Sequence, residues 1–112
     1  MFKLELEYKN QILFAKLKGV LDRKNSYKIN NYLNYVIKKH EIKHLVYDWQ
    51  ELKMIDNYGL DALLKSKYYI KKNKGKIYVE GAYGSLEYLR RYLKIPKNEC
   101  NNLVRERKVY KC

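Results

Sequence analysis

Residues 45–60 read Leu45-Val46-Tyr47-Asp48-Trp49-Gln50-Glu51-Leu52-Lys53-Met54-Ile55-Asp56-Asn57-Tyr58-Gly59-Leu60, and this stretch decides the fold. Leu45-Val46-Tyr47 is a short apolar run of the kind shown by a strand buried on both faces. The segment from Met54 to Leu60 turns the chain, and Leu60, Leu63, Leu64 and Ile70 then build a helix. Asp56 or Asn57 stands where its N-cap belongs. That helix stops at Asn73-Lys74-Gly75, where glycine can take the left-handed capping conformation.

Upstream, Phe2 to Glu7 alternates apolar and charged residues, the mark of a half-buried strand. Asn10 and Gln11 turn the chain into a second apolar run, Ile12-Leu13-Phe14-Ala15 continuing to Leu17, and Gly19-Val20-Leu21-Asp22 ends this hairpin. From about Lys24 the period becomes helical, with Ile29, Tyr32, Leu33, Val36 and Ile37 on one face and Asn30, Asn31, Asn34 and Lys38 on the wet one. Downstream, Lys76 to Glu80 is a fourth strand. Gly84-Ser85 opens a third helix carrying Leu86, Leu89 and Leu93, with Ser85 as N-cap and Pro96 limiting its end. The order β-β-α-β-α-β-α predicts one α/β domain over 1–96, a mixed, mostly parallel sheet with helices packed on it and right-handed crossovers. Residues 97–112 are polar and poorly periodic, leaving a short strand, a short helix or a frayed tail open.

At 112 residues the chain has room for one core and needs no disulfide staple. Twenty-five Lys and Arg against twelve Asp and Glu give a net charge of +13, which favours solubility and draws the protein towards anionic surfaces. The same abundance of Asn, Lys, Ile and Tyr is what an A- and T-rich genome writes without functional pressure. No apolar stretch of signal-peptide length follows Met1, and no segment approaches the roughly 20 apolar residues that span a bilayer. Cys100 and Cys112 lie in no metal or redox spacing and read as free thiols. A cytoplasmic protein without membrane insertion is expected.

His40-Glu41-Ile42-Lys43-His44 matches the zinc-protease pattern letter for letter, but that chemistry needs both imidazoles one turn apart on one helix face. Here the helical period ends at Ile37 and a strand begins after His44, so neither a metal site nor a cofactor is expected. None of Ser26, Ser66 and Ser85 lies in a nucleophile elbow, and no phosphate-cradling glycine loop is present, so no enzyme is predicted. Basic residues do cluster, with Lys67, Lys71 and Lys74 on the second helix and Arg90, Arg91, Lys94 and Lys97 at the end of the third. Tyr68, Tyr69, Tyr88 and Tyr92 are interleaved with them. Charge with stacking aromatics suits nucleic acid, but no recognised reading module accompanies it.

Three short motifs in this order carry a family resemblance: Gly19-Val20-Leu21-Asp22 after the second strand, Asp56-Asn57-Tyr58-Gly59-Leu60 after the third, and Gly75 before the fourth. Over roughly Phe2 to Ile95 the chain resembles the STAS family, the sulphate-transporter and anti-sigma-factor-antagonist domains. Their usual pattern is Asp-Ser-Ser-Gly-Leu or Asp-Ser-Thr-Gly-Leu at the helix start. The resemblance implies a non-enzymatic binding module. In the antagonists, a kinase-type anti-sigma factor binds this surface and is released by phosphorylating the second hydroxyl residue. Asn57 and Tyr58 replace the two hydroxyl residues here, and Tyr58 occupies the phosphoacceptor position, which implies that the serine phosphoswitch is absent. The implied interface is Asp56, Asn57, Tyr58, Gly59 and Asp61, with Asp22 beside it, and the implied partner is an anti-sigma factor or serine-kinase-like protein. A STAS subunit gripping the ATPase of a bacterial ABC lipid-transport system is the alternative, since that use needs no phosphoswitch. A basic nucleic-acid-binding protein ranks behind both.

Overall fold

A computed structural model describes residues 1–98. Strands β1 (Phe2–Lys9) and β2 (Ile12–Leu21) form an antiparallel hairpin in which Lys9 faces Ile12. Asn10 and Gln11, with φ of 53° and 67°, make the two-residue turn whose twist matches the flanking strands. A π-helical turn, Ile29–Leu33, runs directly into helix α1 (Asn34–Lys39). Strand β3 (His44–Ile55), helix α2 (Asn57–Lys72), strand β4 (Lys76–Glu80) and helix α3 (Ser85–Tyr92) complete the order. The sheet runs β1-β2-β3-β4, with β2, β3 and β4 mutually parallel, as the sequence predicts.

One face of the sheet carries the core. Leu13, Ala15 and Leu17 of β2, Leu45, Tyr47 and Trp49 of β3, and Ile77 and Val79 of β4 are buried with Ile29, Leu33 and Ile37. Ala62, Leu63 and Ile70 of α2 and Leu86 of α3 close the same cluster. After α3 the chain returns along β4: the Val79 N–H donates to the Pro96 carbonyl (3.0 Å) and the Asn98 N–H to the Val79 carbonyl (2.8 Å). Lys97 thereby makes a parallel bridge to Val79. The rest of the polar stretch, residues 99–112 with Cys100 and Cys112, lies outside the described residues.

Several local readings change. The third strand, marked in the sequence by the short run Leu45-Val46-Tyr47, runs on to Ile55 into the segment read as a turn, because its second half pairs with the end of β2, Val20 facing Met54 and Leu21 facing Ile55. Asn34, expected on the wet face, is buried, while Tyr32, expected inside, is exposed. The π turn explains both: the Asn34 N–H bonds the Ile29 carbonyl five residues back, and this wider turn rotates the following residues around the axis. Leu64 is also more exposed than its spacing predicts. The left-handed residue ending α2 is Lys74 (φ 62°) and not Gly75. Glycine stands at 75 because a Cβ there would fall on the Lys43 carbonyl. At α3 the cap position is Gly84, and Ser85 is the first helical residue, with no side-chain capping bond.

The buried Asn34 amide donates to the Ala62 carbonyl (3.3 Å) and accepts from the Ser66 hydroxyl. Beside this pair the Tyr47 hydroxyl is fully enclosed and lacks a hydrogen-bond partner among the described residues. Burial pushes its phenol far above the ordinary value near 10. Because burial penalises only the ionised phenol, this group leaves stability unchanged well below pH 10 and lowers it as the pH climbs beyond about 10, where the unfolded chain ionises and the folded one resists. Tyr47→Phe keeps the ring and removes the orphan hydroxyl. It is expected to raise unfolding stability by about 1 kcal/mol at pH 7 and to flatten the alkaline fall, measured by urea titration at several pH values.

Candidate functional site

The ends of β2 and β3 lie side by side, and the two loops that leave them are tied together by backbone and side chain. The Asp56 N–H donates to the Leu21 carbonyl (3.0 Å), joining the loops at their roots. Asp56 then divides its carboxylate: Oδ1 accepts from the Gly59 N–H (2.9 Å) and Oδ2 from the Arg23 N–H (2.9 Å). The first bond caps α2, which resolves the choice between Asp56 and Asn57, and the second pins the β2 loop to that cap. A carboxylate is favoured at this end of a 16-residue helix because the free amides there carry the positive pole of its dipole.

Asp22 organises the other loop. Its Oδ1 accepts from the Lys24 N–H (3.0 Å), and its carbonyl accepts from the Asn25 and Ser26 amides (3.1 and 2.8 Å). Asn25 answers with Oδ1 on the Asp22 N–H (2.8 Å) and its amide on the Val20 carbonyl (2.9 Å). Sequence reasoning missed Asn25 and Arg23. An Asx turn beginning at Asp22 was a visible signal for the first; nothing local could show that Arg23 meets Tyr58.

That meeting forms the exposed part of the site. The Arg23 guanidinium lies over the Tyr58 ring, 5.8 Å from its centroid, and Tyr58 remains 56% exposed. Asn57 beside it is exposed as well, and so is Met54 at the end of β3. Asp61, a turn further on, is exposed and pairs loosely with Lys65 at 3.6 Å. Gly59 is not part of this surface. It is buried, because the end of β2 and β3 presses on the first turn of α2: a Cβ there would lie 2.8 Å from the Leu21 side chain and 2.9 Å from that of Ile55. The structure therefore brings together Asp22, Asp56, Asn57 and Tyr58, places Asp61 at the margin, and sets Gly59 beneath them.

The other candidates fall elsewhere. His40 caps the C-terminus of α1 and His44 begins β3, so the two imidazoles belong to different elements, as their sequence context predicts. No group of three or more His, Cys, Asp or Glu able to hold a metal occurs among the described residues. Ser66 is fully buried and bonded to Asn34, so α2 offers no exposed serine in place of Tyr58. Among the described residues no helix is long and apolar enough to cross a membrane. The tight contact at Gly59 gives a direct test: Gly59→Ala is expected to destabilise the fold by about 1–3 kcal/mol through overpacking, read from denaturant midpoints. Asp56→Ala is expected to cost about 1 kcal/mol and to loosen the Arg23 loop, read from faster amide exchange at Arg23.

Comparison with solved structures shows the same fold in anti-sigma factor antagonists. The unphosphorylated form of SpoIIAA superposes with a TM-score of 0.74 at 16% identity, covering 94% of this chain and 98% of that one. The phosphorylated form of SpoIIAA, a Bacillus cell fate determinant, gives 0.73 at 14% identity over 90% and 96%. An anti-sigma factor antagonist from Mycobacterium paratuberculosis gives 0.68 at 14% identity over 92% of each chain. At such identities the likeness is one of fold. The family model for the STAS domain matches residues 3–95, which contain every element from β1 to α3 and the paired loops at Asp22 and Asp56, and the chain belongs to the STAS domain family.

Proposed function

We propose that the chain is a non-enzymatic interaction module of the anti-sigma-factor-antagonist kind, working in the bacterial cytoplasm. It docks an anti-sigma factor or serine-kinase-like protein on the surface formed by Asn57, Tyr58 and the Asp22-Arg23 loop. The observation that carries this reading is the half-exposed Tyr58 ring, stacked under Arg23 on a helix start that Asp56 holds rigid. Tyrosine and arginine are the residue types enriched at interface hot spots, and a pre-ordered pair loses little freedom on binding. Two of the similar structures are SpoIIAA in its unphosphorylated and phosphorylated forms, which supports a partner-binding surface in this fold that phosphate can regulate.

Regulation differs in this chain. Tyr58 holds its oxygen at the far end of an aromatic ring, well away from the backbone, so a kinase aligned for a serine hydroxyl at this position misses it. The module then stays competent to bind whatever the kinase activity of its partner. No cofactor enters this reading. The same absence of an acceptor serine favours a second reading, a STAS subunit bound to the ATPase of an ABC lipid-transport system.

Affinity capture of the tagged full chain from its native extract at moderate salt, followed by mass spectrometry, separates the two. A kinase-like anti-sigma factor supports the first reading and an ABC ATPase with its permease the second. Recovery of nucleic acid alone, lost between about 50 and 200 mM salt, overturns both. Tyr58→Ala is expected to weaken partner binding by about tenfold or more while leaving the denaturation midpoint unchanged, and unaltered affinity removes Tyr58 from the interface.

A further inference from the structure

A second feature lies at the other end of α2. Lys67 and Lys71 stand one turn apart on this helix, about 14 and about 20 Å along its axis from Tyr58 by the usual helical rise of about 1.5 Å per residue. With Lys76 at the start of β4 and Lys94 just after α3, they line a cavity of about 220 Å³ whose wall includes Ile77 and Tyr78. We propose that this lysine-lined cleft, with Lys67, Lys71 and Lys94 at its centre, binds a phosphate-type oxyanion.

Lys67, Lys71 and Lys94 come together for separate structural reasons and leave donors to spare, while Lys76, which by strand alternation belongs with Tyr78 to the other face of the sheet, borders the cleft only at the strand edge. Lys67 is held by the carbonyls of Leu93 (2.8 Å) and Lys94 (3.4 Å), where it closes the C-terminal end of α3. An ammonium group has three donors, and these bonds leave one for a ligand. Lys94 takes a left-handed conformation (φ 57°), which turns the chain back across the mouth of the cleft. The backbone adds a donor. Val79 uses the outer edge of β4 for its bonds to Pro96 and Asn98, and by strand alternation Ile77, two residues earlier, points its N–H to the same side. That outward amide borders the cavity.

Among the described residues no carboxylate lines the cleft, which four lysines border. Burial lowers the affinity of Lys67 for its proton, and the positive charges of Lys71 and Lys94 lower it further, with no acidic side chain acting the other way. Elsewhere the fold pairs its inward-leaning lysines, Lys16 with Glu51 at 3.1 Å and Lys18 with Glu5 at 3.4 Å. A bound dianion would supply in the cleft the negative charge that glutamates supply there. The volume suits one or two phosphoryl groups and excludes a larger ligand from full enclosure.

The test is a titration of the ¹⁵N-labelled full chain with inorganic phosphate and with inorganic pyrophosphate at 150 mM salt, about one Debye length of 8 Å. The expected result is saturable binding with shifts concentrated at Lys71, Ile77 and Lys94. Tighter binding of pyrophosphate means that two phosphoryl groups are engaged, and equal binding means one. The double variant Lys71→Gln, Lys94→Gln is expected to lose about tenfold or more in affinity, while Lys3→Gln, Lys53→Gln, with the same change in net charge, loses less than twofold. Circular dichroism of both variants checks that they fold. Equal losses in the two variants, shifts scattered over the surface, or no saturation overturns the proposal.

Discussion

The Asp56 carboxylate is the constraint on which the candidate-site end of this molecule depends. One side chain accepts from two backbone amides that lie 36 residues apart in the chain, Arg23 and Gly59. Each bond alone is ordinary, a helix cap and a loop clasp. Together they make the first turn of α2 and the loop after β2 a single body, so that what happens to one is felt by the other. The Gly59 amide is partly buried and the Arg23 amide lies at the surface, so loss of the carboxylate leaves a helix-cap donor unpaired and frees the loop at the same time. The buried Gly59 completes the arrangement by letting the helix start press directly on Leu21 and Ile55. Tyr58 and Arg23 stand on this rigid base, and their stacking is a consequence of it.

A second polar cluster holds the opposite side of α2. Asn34, Ser66 and the backbone of Ala62 form a closed hydrogen-bond set between the two helices, and they exist as a set only because the π turn rotates Asn34 inward. Polar contacts of this kind fix the relative rotation of two helices more sharply than apolar packing, which tolerates sliding. The core thus fixes that α2 lies on the sheet, while Asn34 and Ser66 fix how far it is rotated about its own axis. That rotation decides that Tyr58 faces outward at one end and that Lys67 and Lys71 face the β4 edge at the other.

The positive charge of the chain is not spread evenly in its effect. On β2 the lysines that lean over the sheet are neutralised by Glu5 and Glu51, and the Glu51 carboxyl is held below its usual range by Lys16. At α3 the Arg90 fork is bidentate to Glu87 and also reaches the Ile95 carbonyl at 2.7 Å, so it belongs to the helix end and not to a ligand surface. The lysines at the β4 edge are the contrast, gathered in a concave place that no carboxylate lines among the described residues. A composition that reads as genomic bias over the whole chain thereby acquires local meaning at one position.

Alternation in Phe2–Glu7, the turn at Asn10-Gln11, the helical spacing from Leu60 to Ile70 and the β-β-α-β-α-β-α order were legible in the sequence, because each is a local periodicity that backbone geometry imposes. So were a cap at Asp56 or Asn57 and the failure of His40 and His44 to share a helix face, which follow from context within a few residues, while the choice of Asp56 needed the structure. The full length of β3, the inward turn of Asn34, the positive φ of Lys74 and the cap at Gly84 were not, because each is decided by a partner far along the chain or by a hydrogen bond that slips by one residue. The site divides the same way. Its central motif, Asp56 to Leu60, was written in consecutive residues, so the sequence by itself determined the fold and where this loop and helix start lie. That Arg23 covers Tyr58, that Gly59 is buried beneath them and that four lysines from three elements share one cleft was decided only by tertiary structure, since those distances exist only once the sheet has brought separate segments side by side.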